Sequence, residues 1–147
     1  MRIIATVAIC FLSLGCSAAG PSVLRTDSLS LKTGGAPFEA QFTVALSASG
    51  SLNVRRYGPP HVIPRDEQFH LTTAEAARLL RLAADSTDFG AGCGKVVDGT
   101  AAAMEVTFSG ASQSFSCAGA PKWPIGAKTA DFLSALNKQL PDDLQVF

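Results

Sequence analysis

Hydrophobic and polar residues alternate in several short stretches of the chain. In the clearest, Phe38 to Leu46, every second residue is apolar, and the same alternation holds for Leu29 and Leu31 and again from Ala102 to Phe108. A period of two is typical of strands with one buried face. We therefore predict strands in these three segments.

Two of these strands have a partner after a short turn. Small residues at 48–51 precede Leu52 to Tyr57, and a similar turn precedes Gln113 to Cys117. Such spacing predicts antiparallel hairpins. The prolines at 59, 60 and 64 predict a loop, followed by a short strand from Phe69 to Leu71.

Two helices are predicted from capping signals and from a period near 3.6. Thr72 and Glu75 form a capping box, and an apolar face follows it: Ala76, Leu79, Leu80 and Ala83. A second helix is predicted to begin near Thr129, to carry Asp131 in its first turn and to end at Pro141. The order of elements predicts an α+β fold, in which an antiparallel sheet of hairpins has two helices packed on one face.

The N-terminus has the pattern of an export signal. Arg2 is followed by the uncharged run from Ile3 to Leu14 and then by small residues. Residues 12–16 resemble the bacterial lipobox, so we expect residues 1–15 to be a lipoprotein signal peptide and Cys16 to be acylated. Cleavage after Ala19, which would leave no lipid, stays open as an alternative. Residues 16–27 are small and polar and are interpreted as a tether, and residues 28–147 as a single domain.

These assignments predict a location in the cell envelope. Because Ser17 is not the aspartate associated with inner-membrane retention, we expect an anchor in the outer membrane with the domain facing the periplasm. A periplasmic or secreted protein is the alternative.

Cysteine usage predicts one disulfide. Cys10 lies in the signal, and Cys16 is either acylated or removed, which leaves Cys93 and Cys117 as a pair. Exported thiols are normally oxidised, and closing a loop of about 25 residues stabilises a domain by roughly 3 kcal/mol.

The charge pattern argues against nucleic acid as a partner. The chain has 12 basic and 12 acidic residues, scattered along its length, and loss of Arg2 with the signal leaves a net charge near −1. A nucleic-acid-binding domain usually carries clustered basic residues. One local concentration of cations and aromatic character exists, and we define it as the basic patch: Arg55, Arg56, Tyr57, His61 and Arg65. It is a candidate docking surface for an anionic polymer or a protein, and charge protection of an edge strand is the alternative.

Other polar groupings give no recognised chemistry. His61, Asp66, Glu67 and His70 lack the spacing of a metal motif and are interpreted as a solvated loop. The run Gly90–Gly94 lacks the spacing of a phosphate-binding loop. We therefore predict no metal, no cofactor and no catalytic set.

The layout of the chain resembles two groups of proteins. It consists of Leu29–Gly35 with the strand after it, the helix from Leu71 to Leu82, and the later hairpin with its terminal helix. It resembles small domains of unknown function in bacterial lipoproteins, and also emfourin-type inhibitors of thermolysin-like metallopeptidases. The resemblance implies a binding protein rather than an enzyme and assigns no inhibitory residue.

Three hypotheses follow. The first is a non-catalytic, membrane-tethered envelope domain that binds an unidentified partner. The second is an inhibitor of an extracellular metallopeptidase. The third is a hydrolase whose active site is assembled from residues distant in the sequence.

Overall fold

The computed structural model describes residues 22–34, 39–94, 99–120, 123–124 and 126–146. The predicted signal peptide and Cys16 lie outside the described residues. The elements in chain order are β1 (Ser28–Gly34), β2 (Gln41–Ser47), β3 (Ser51–Tyr57), β4 (Arg65–His70), α1 (Thr73–Ala84), β5 (Thr100–Phe108), β6 (Ala111–Ala120), α2 (Ala127–Asn137) and a 3-10 turn (Asp142–Leu144).

The strands form one six-stranded antiparallel sheet in the order β4-β3-β2-β1-β5-β6. The first four strands are a meander, since each pairs with the strand before it. Helix α1 then carries the chain back from edge strand β4 to the far side of β1, where β5 pairs. The predicted α+β class is therefore confirmed.

Both helices lie on one side of the sheet. Helix α1 contacts β1, β2 and β5 and also packs against α2. Its predicted capping box is present, because the Thr72 hydroxyl accepts from the Glu75 amide and the Glu75 carboxylate accepts from the Thr72 amide. The fully buried side chains come from both layers and include Leu31, Val44, Leu52, Val54, Leu80, Met104, Val106, Phe132 and Leu136. One face of the sheet therefore builds the core, and the other carries no helix.

The end of the segment interpreted as a tether lies against the domain. Asp27 is only 1% exposed, and its carboxylate accepts from the amides of Leu24 at 2.8 Å, Ser109 at 2.9 Å and Gly110 at 3.3 Å. Burial alone would raise the pKa of Asp27, but these three hydrogen bonds outweigh it and hold the pKa below its ordinary value. Asp27 thus joins the start of β1 to the β5–β6 turn.

Several bounds of the predicted elements are wrong. The strand predicted from Phe69 to Leu71 is the longer β4, Arg65–His70. Helix α2 begins at Ala127, so Asp131 lies beyond its first turn, and it ends at Asn137 rather than at Pro141. That first turn is capped instead by Asp88, whose carboxylate accepts from the amides of Lys128 at 2.9 Å and Thr129 at 3.0 Å.

Candidate functional site

One face of the sheet has no helix packed on it among the described residues, and we call it the open face. On β1, Leu29 and Leu31 face the core, so Ser30 and Lys32 face outward. The same alternation directs Thr43 of β2 and Arg55 of β3 to this open face. Most of its side chains are small and polar, so the surface is shallow.

A groove of about 830 Å³ lies on this face toward the β4 edge. We name it the open-face groove and define it by its lining residues: Lys32, Thr43, Ala45, Asn53, Arg55, Arg56, Tyr57, Pro64, Arg65 and Asp66. Four of these residues are cationic and one is a carboxylate. The groove therefore has an excess of positive charge.

Strand register places two cations on either side of a hydroxyl. Lys32 is paired with Thr43, and Thr43 is paired with Arg55. Since neighbouring strands lie about 4.8 Å apart, the backbones of Lys32 and Arg55 are separated by roughly 10 Å. The side chain of Lys32 makes no hydrogen bond or ion pair with any residue that the structure describes. Its ammonium group is available to a ligand.

Arg55 is held by an ion pair that water reaches easily. Its guanidinium donates to the Asp66 carboxylate at 2.7 and 3.0 Å, and the two side chains are 64% and 63% exposed. A pair this exposed contributes about 0–1 kcal/mol. A stronger anionic ligand can therefore replace Asp66 as the partner of Arg55.

Arg56 and Arg65 use their guanidinium groups within the protein. Arg56 donates to the carbonyls of Ile63 at 3.1 Å and Asp143 at 2.6 Å. Arg65 donates to the Glu67 carboxylate and, at 2.8 Å, to that of Asp143. The hydrogen bond to Glu67, with the carboxylate of Asp143 nearby, raises the pKa of Arg65 above its ordinary value. These arginines hold the C-terminal 3-10 turn against the β4 edge.

The structure thus divides the basic patch. Arg55 and Tyr57 lie on the open face, and Arg56 and Arg65 reach the groove only at its margin. His61 lies on the exposed loop between β3 and β4. In the same loop Ile63 is 71% exposed, and its carbonyl is the group that Arg56 holds.

Sequence reasoning missed Lys32 and Thr43, because they come from other strands than the basic patch, and Asn53, which lies on β3 itself two residues before Arg55. The register of the β2–β3 hairpin and the alternation of β1 could have identified Thr43 and Lys32. The turn between β2 and β3 places Thr43 opposite Arg55, and the alternation of β1 places Lys32 on the same face.

The polar cluster interpreted as a solvated loop is mostly strand. Asp66, Glu67 and His70 lie on β4, where Asp66 and His70 are exposed and Glu67 is half-buried. Among the described residues, no three or more His, Cys, Asp and Glu side chains lie close enough together to hold a metal ion.

The predicted disulfide is present. Cys93 and Cys117 are bonded, with their Cα atoms 5.3 Å apart. The bond joins the glycine-rich loop after α1 to β6. Strand β6 is the edge strand opposite to β4, so the disulfide lies away from the β4 edge of the groove.

Comparison with known protein families and with curated proteins finds no match. Neither helix in the described part of the chain is long and apolar enough to cross a bilayer.

Proposed function

We propose that this protein is an exported, lipid-anchored, non-catalytic domain that binds an anionic partner of the cell envelope in its open-face groove. The observation that carries the proposal is the pair of cations on the open face of the groove. The Lys32 ammonium has no partner among the described side chains, and Arg55 is held only by an exposed ion pair with Asp66. Charge of one sign concentrated in a concave surface attracts ligands of the opposite sign. The extended and shallow shape suits a chain-like ligand better than a small molecule, which usually binds in a deep apolar pocket.

The point at which the described chain enters the domain lies toward one end of the sheet, and the groove lies toward the opposite end. The Ser22 carbonyl accepts from the Ser109 hydroxyl at 2.8 Å, so the chain enters the domain beside the β5–β6 turn. Tyr57, paired with Gln41, lies at the other end of its strand. Five residues separate Cys16 from Ser22, and the span between the two reaches at most about 22 Å. A lipid on Cys16 therefore keeps the Ser109 end near the bilayer and turns the Tyr57 end toward the periplasm.

The anchor has a direct test. Cys16→Ser should release the protein from membranes and stop processing at that site. Intact mass of the wild-type chain should show an acylated N-terminus at Cys16. A mature chain that begins at Gly20 without acyl groups would contradict the lipid anchor, and would leave the binding proposal to be judged by its own experiment.

The groove is tested by reversing one charge. We expect Lys32→Glu to weaken retention of the envelope partner about tenfold, because a hydrogen bond to a charged group contributes about 1.5–3 kcal/mol. The measurement is pull-down from envelope extract over a range of salt concentrations. Arg78→Glu is the matched control, since Arg78 is exposed on α1 and away from the open face. Equal retention of both variants would refute the groove as the binding site.

A second candidate function, inhibition of a metallopeptidase, is favoured by the β3–β4 loop. Three prolines restrict this loop, and Arg56 holds the Ile63 carbonyl while the Ile63 side chain projects into solvent. A loop fixed in its bound conformation loses less entropy when it enters a cleft. Micromolar inhibition of a thermolysin-like enzyme that Ile63→Asp abolishes and Lys32→Glu leaves intact would establish this function instead. Turnover of an ester or peptide panel, abolished by a single substitution, would establish a hydrolase.

A further inference from the structure

The two edges of the sheet differ sharply in charge. Edge strand β4 reads Arg-Asp-Glu-Gln-Phe-His, with three ionised residues in six. Edge strand β6 runs for ten residues, ASQSFSCAGA, without a charged residue or a proline. Natural proteins usually protect an exposed edge with charge, proline or a covering segment, because its free backbone groups pair with other strands. Strand β6 lacks the first two protections.

The direction of the β6 backbone groups follows from the hairpin. Ser109 and Gly110 form a two-residue turn with φ of 51° and 77°. In such a hairpin the flanking residues, Phe108 and Ala111, exchange both backbone bonds, and every second pair beyond them does the same. The amides and carbonyls of Ser112 and Ser114 therefore point away from β5.

The glycine-rich loop covers only the far part of this edge. The Gly94 amide donates to the Ala118 carbonyl at 2.5 Å, and a Cβ on Gly90 would lie 3.1 Å from the Ser116 carbonyl. Both contacts also show that the even-numbered carbonyls of β6 point outward. The uncovered stretch is thus Ala111–Phe115, where no described residue outside the sheet hydrogen bonds to the backbone of Ser112 or Ser114.

We propose that a second copy of this chain occupies the Ala111–Phe115 edge, with the two β6 strands antiparallel about a two-fold axis at Gln113. In this register Ser112 exchanges two backbone hydrogen bonds with the partner's Ser114, and Ser114 exchanges two with the partner's Ser112. Gln113 faces the partner's Gln113 across a non-hydrogen-bonded pair. The half-buried ring of Phe115 lies beside the partner's Ala111.

A second copy fits this edge better than a charged foreign segment. A two-fold interface places each surface against itself, so it requires self-complementarity. The exposed residues from Ala111 to Ser114 are uncharged, and no like charges meet. Amide side chains such as Gln113 both donate and accept, so two of them satisfy each other. A charged peptide would find no opposite charge on this strand.

The assembly stops at two copies. Among the described residues β6 is the less protected edge of each sheet, since β4 is charged and Arg56 and Arg65 hold the C-terminal turn beside it. Antiparallel pairing about an axis perpendicular to the sheet keeps both open faces on the same side. The dimer would therefore present two open-face grooves on one side. Lys32 lies level with Ser116, so the two Lys32 backbones are separated by about 24 Å across five strand spacings and about 20 Å along the strands, or roughly 31 Å in all. A chain-like partner bound at both grooves gains avidity.

The pairing is tested by cross-linking the purified full chain. Cα atoms of a non-hydrogen-bonded antiparallel pair lie about 4.5 Å apart, within the 4.4–6.8 Å range of disulfides. Gln113→Cys should therefore give a disulfide-linked dimer under mild oxidation. The matched control is Gln68→Cys, an exposed glutamine on the other edge strand, which should stay monomeric. Equal cross-linking of both variants, or a Gln113→Cys chain that stays monomeric under the same oxidation, would overturn the proposal.

Charged substitutions of Gln113, the residue on the proposed two-fold axis, test the register without adding a cysteine. Gln113→Lys or Gln113→Glu places like charges directly opposite each other, which is destabilising. Each variant alone should co-purify with a tagged copy of itself several-fold less than the wild type does. An equimolar mixture of the two should restore pairing, because the opposed charges then attract. Circular dichroism checks the fold of each variant, and failure of the mixture to recover would refute a two-fold axis at Gln113.

Discussion

The sharpest stability prediction concerns Asp27. Its carboxylate satisfies three backbone amides, two of them in the β5–β6 turn, and it is almost fully buried. Asp27→Ala leaves those amides without their acceptor and disconnects the start of β1 from the turn. Hydrogen bonds to a charged group contribute about 1.5–3 kcal/mol each, but three that share one carboxylate do not add fully. We expect a loss of about 2–4 kcal/mol in the free energy of unfolding at pH 7.

The same carboxylate predicts how the loss depends on pH. Because the folded pKa of Asp27 lies below the value of 3.8 for an unperturbed aspartate, the unfolded chain binds its proton first as the pH falls. The stabilisation is therefore fully present above about pH 5 and is lost as the pH falls through the folded pKa. The difference between wild type and Asp27→Ala should shrink from pH 7 to pH 3.

Urea unfolding followed by the fluorescence of Trp123 measures both effects, since this single tryptophan is buried. Asp131→Ala is the control, because Asp131 is exposed on α2 and should cost less than about 0.5 kcal/mol. The reasoning is refuted if Asp27→Ala also costs less than about 0.5 kcal/mol at pH 7, or if its cost grows in acid.

Three further stability predictions use the same assay. Gly126→Ala should destabilise by about 1–3 kcal/mol, because the new Cβ would lie 2.2 Å from Cγ of Asp88 and displace the cap of α2. In a chain that already carries Asp88→Ala, Gly126→Ala should cost much less, and equal losses in the two backgrounds would contradict this explanation. Replacing Cys93 and Cys117 by alanine should cost about 2–5 kcal/mol while leaving binding at the groove unchanged, and a stability equal to that of the wild type would count against the bond. Thr72→Ala should cost about 1 kcal/mol through loss of the capping box, and an unchanged midpoint would contradict that role.

The predicted and observed elements agree best where a strand has one buried and one wet face. Leu29 and Leu31 of β1, and Val44 and Leu46 of β2, alternate strictly because their neighbours face solvent. Strand β4 was mispredicted because it lies at the sheet edge, beyond the cover of the helices. Its core-side positions include Arg65 and Glu67, which pair with each other, so only Phe69 marks the buried face.

The cap of α2 was not predictable by local rules. Capping signals are sought within a few residues of a helix start, and the nearest carboxylate there is Asp131. The actual cap, Asp88, comes from about 40 residues earlier in the chain, and it reaches Lys128 and Thr129 only after α1 has packed on the sheet. A contact of this kind depends on tertiary packing, which hydrophobic periodicity does not encode.

The binding surface was only partly predictable, for a reason already contained in the alternation of β3. Neighbouring residues of a strand face opposite sides, so Arg55 and Arg56 start from opposite faces of the sheet even though they are adjacent in sequence, and Arg56 reaches the groove only at its margin. Applied to the basic patch, that rule keeps Arg55 and Tyr57 together and separates Arg56. The hairpin register then adds Thr43, and the next strand adds Lys32. Alternation and register do not tell which cationic side chains already have a partner within the protein.

Arg56 and Arg65 are engaged by Asp143, a residue about 80 positions away, whereas the Lys32 side chain has no partner among the described residues. The distinction between a structural cation and one free to bind therefore required the folded chain.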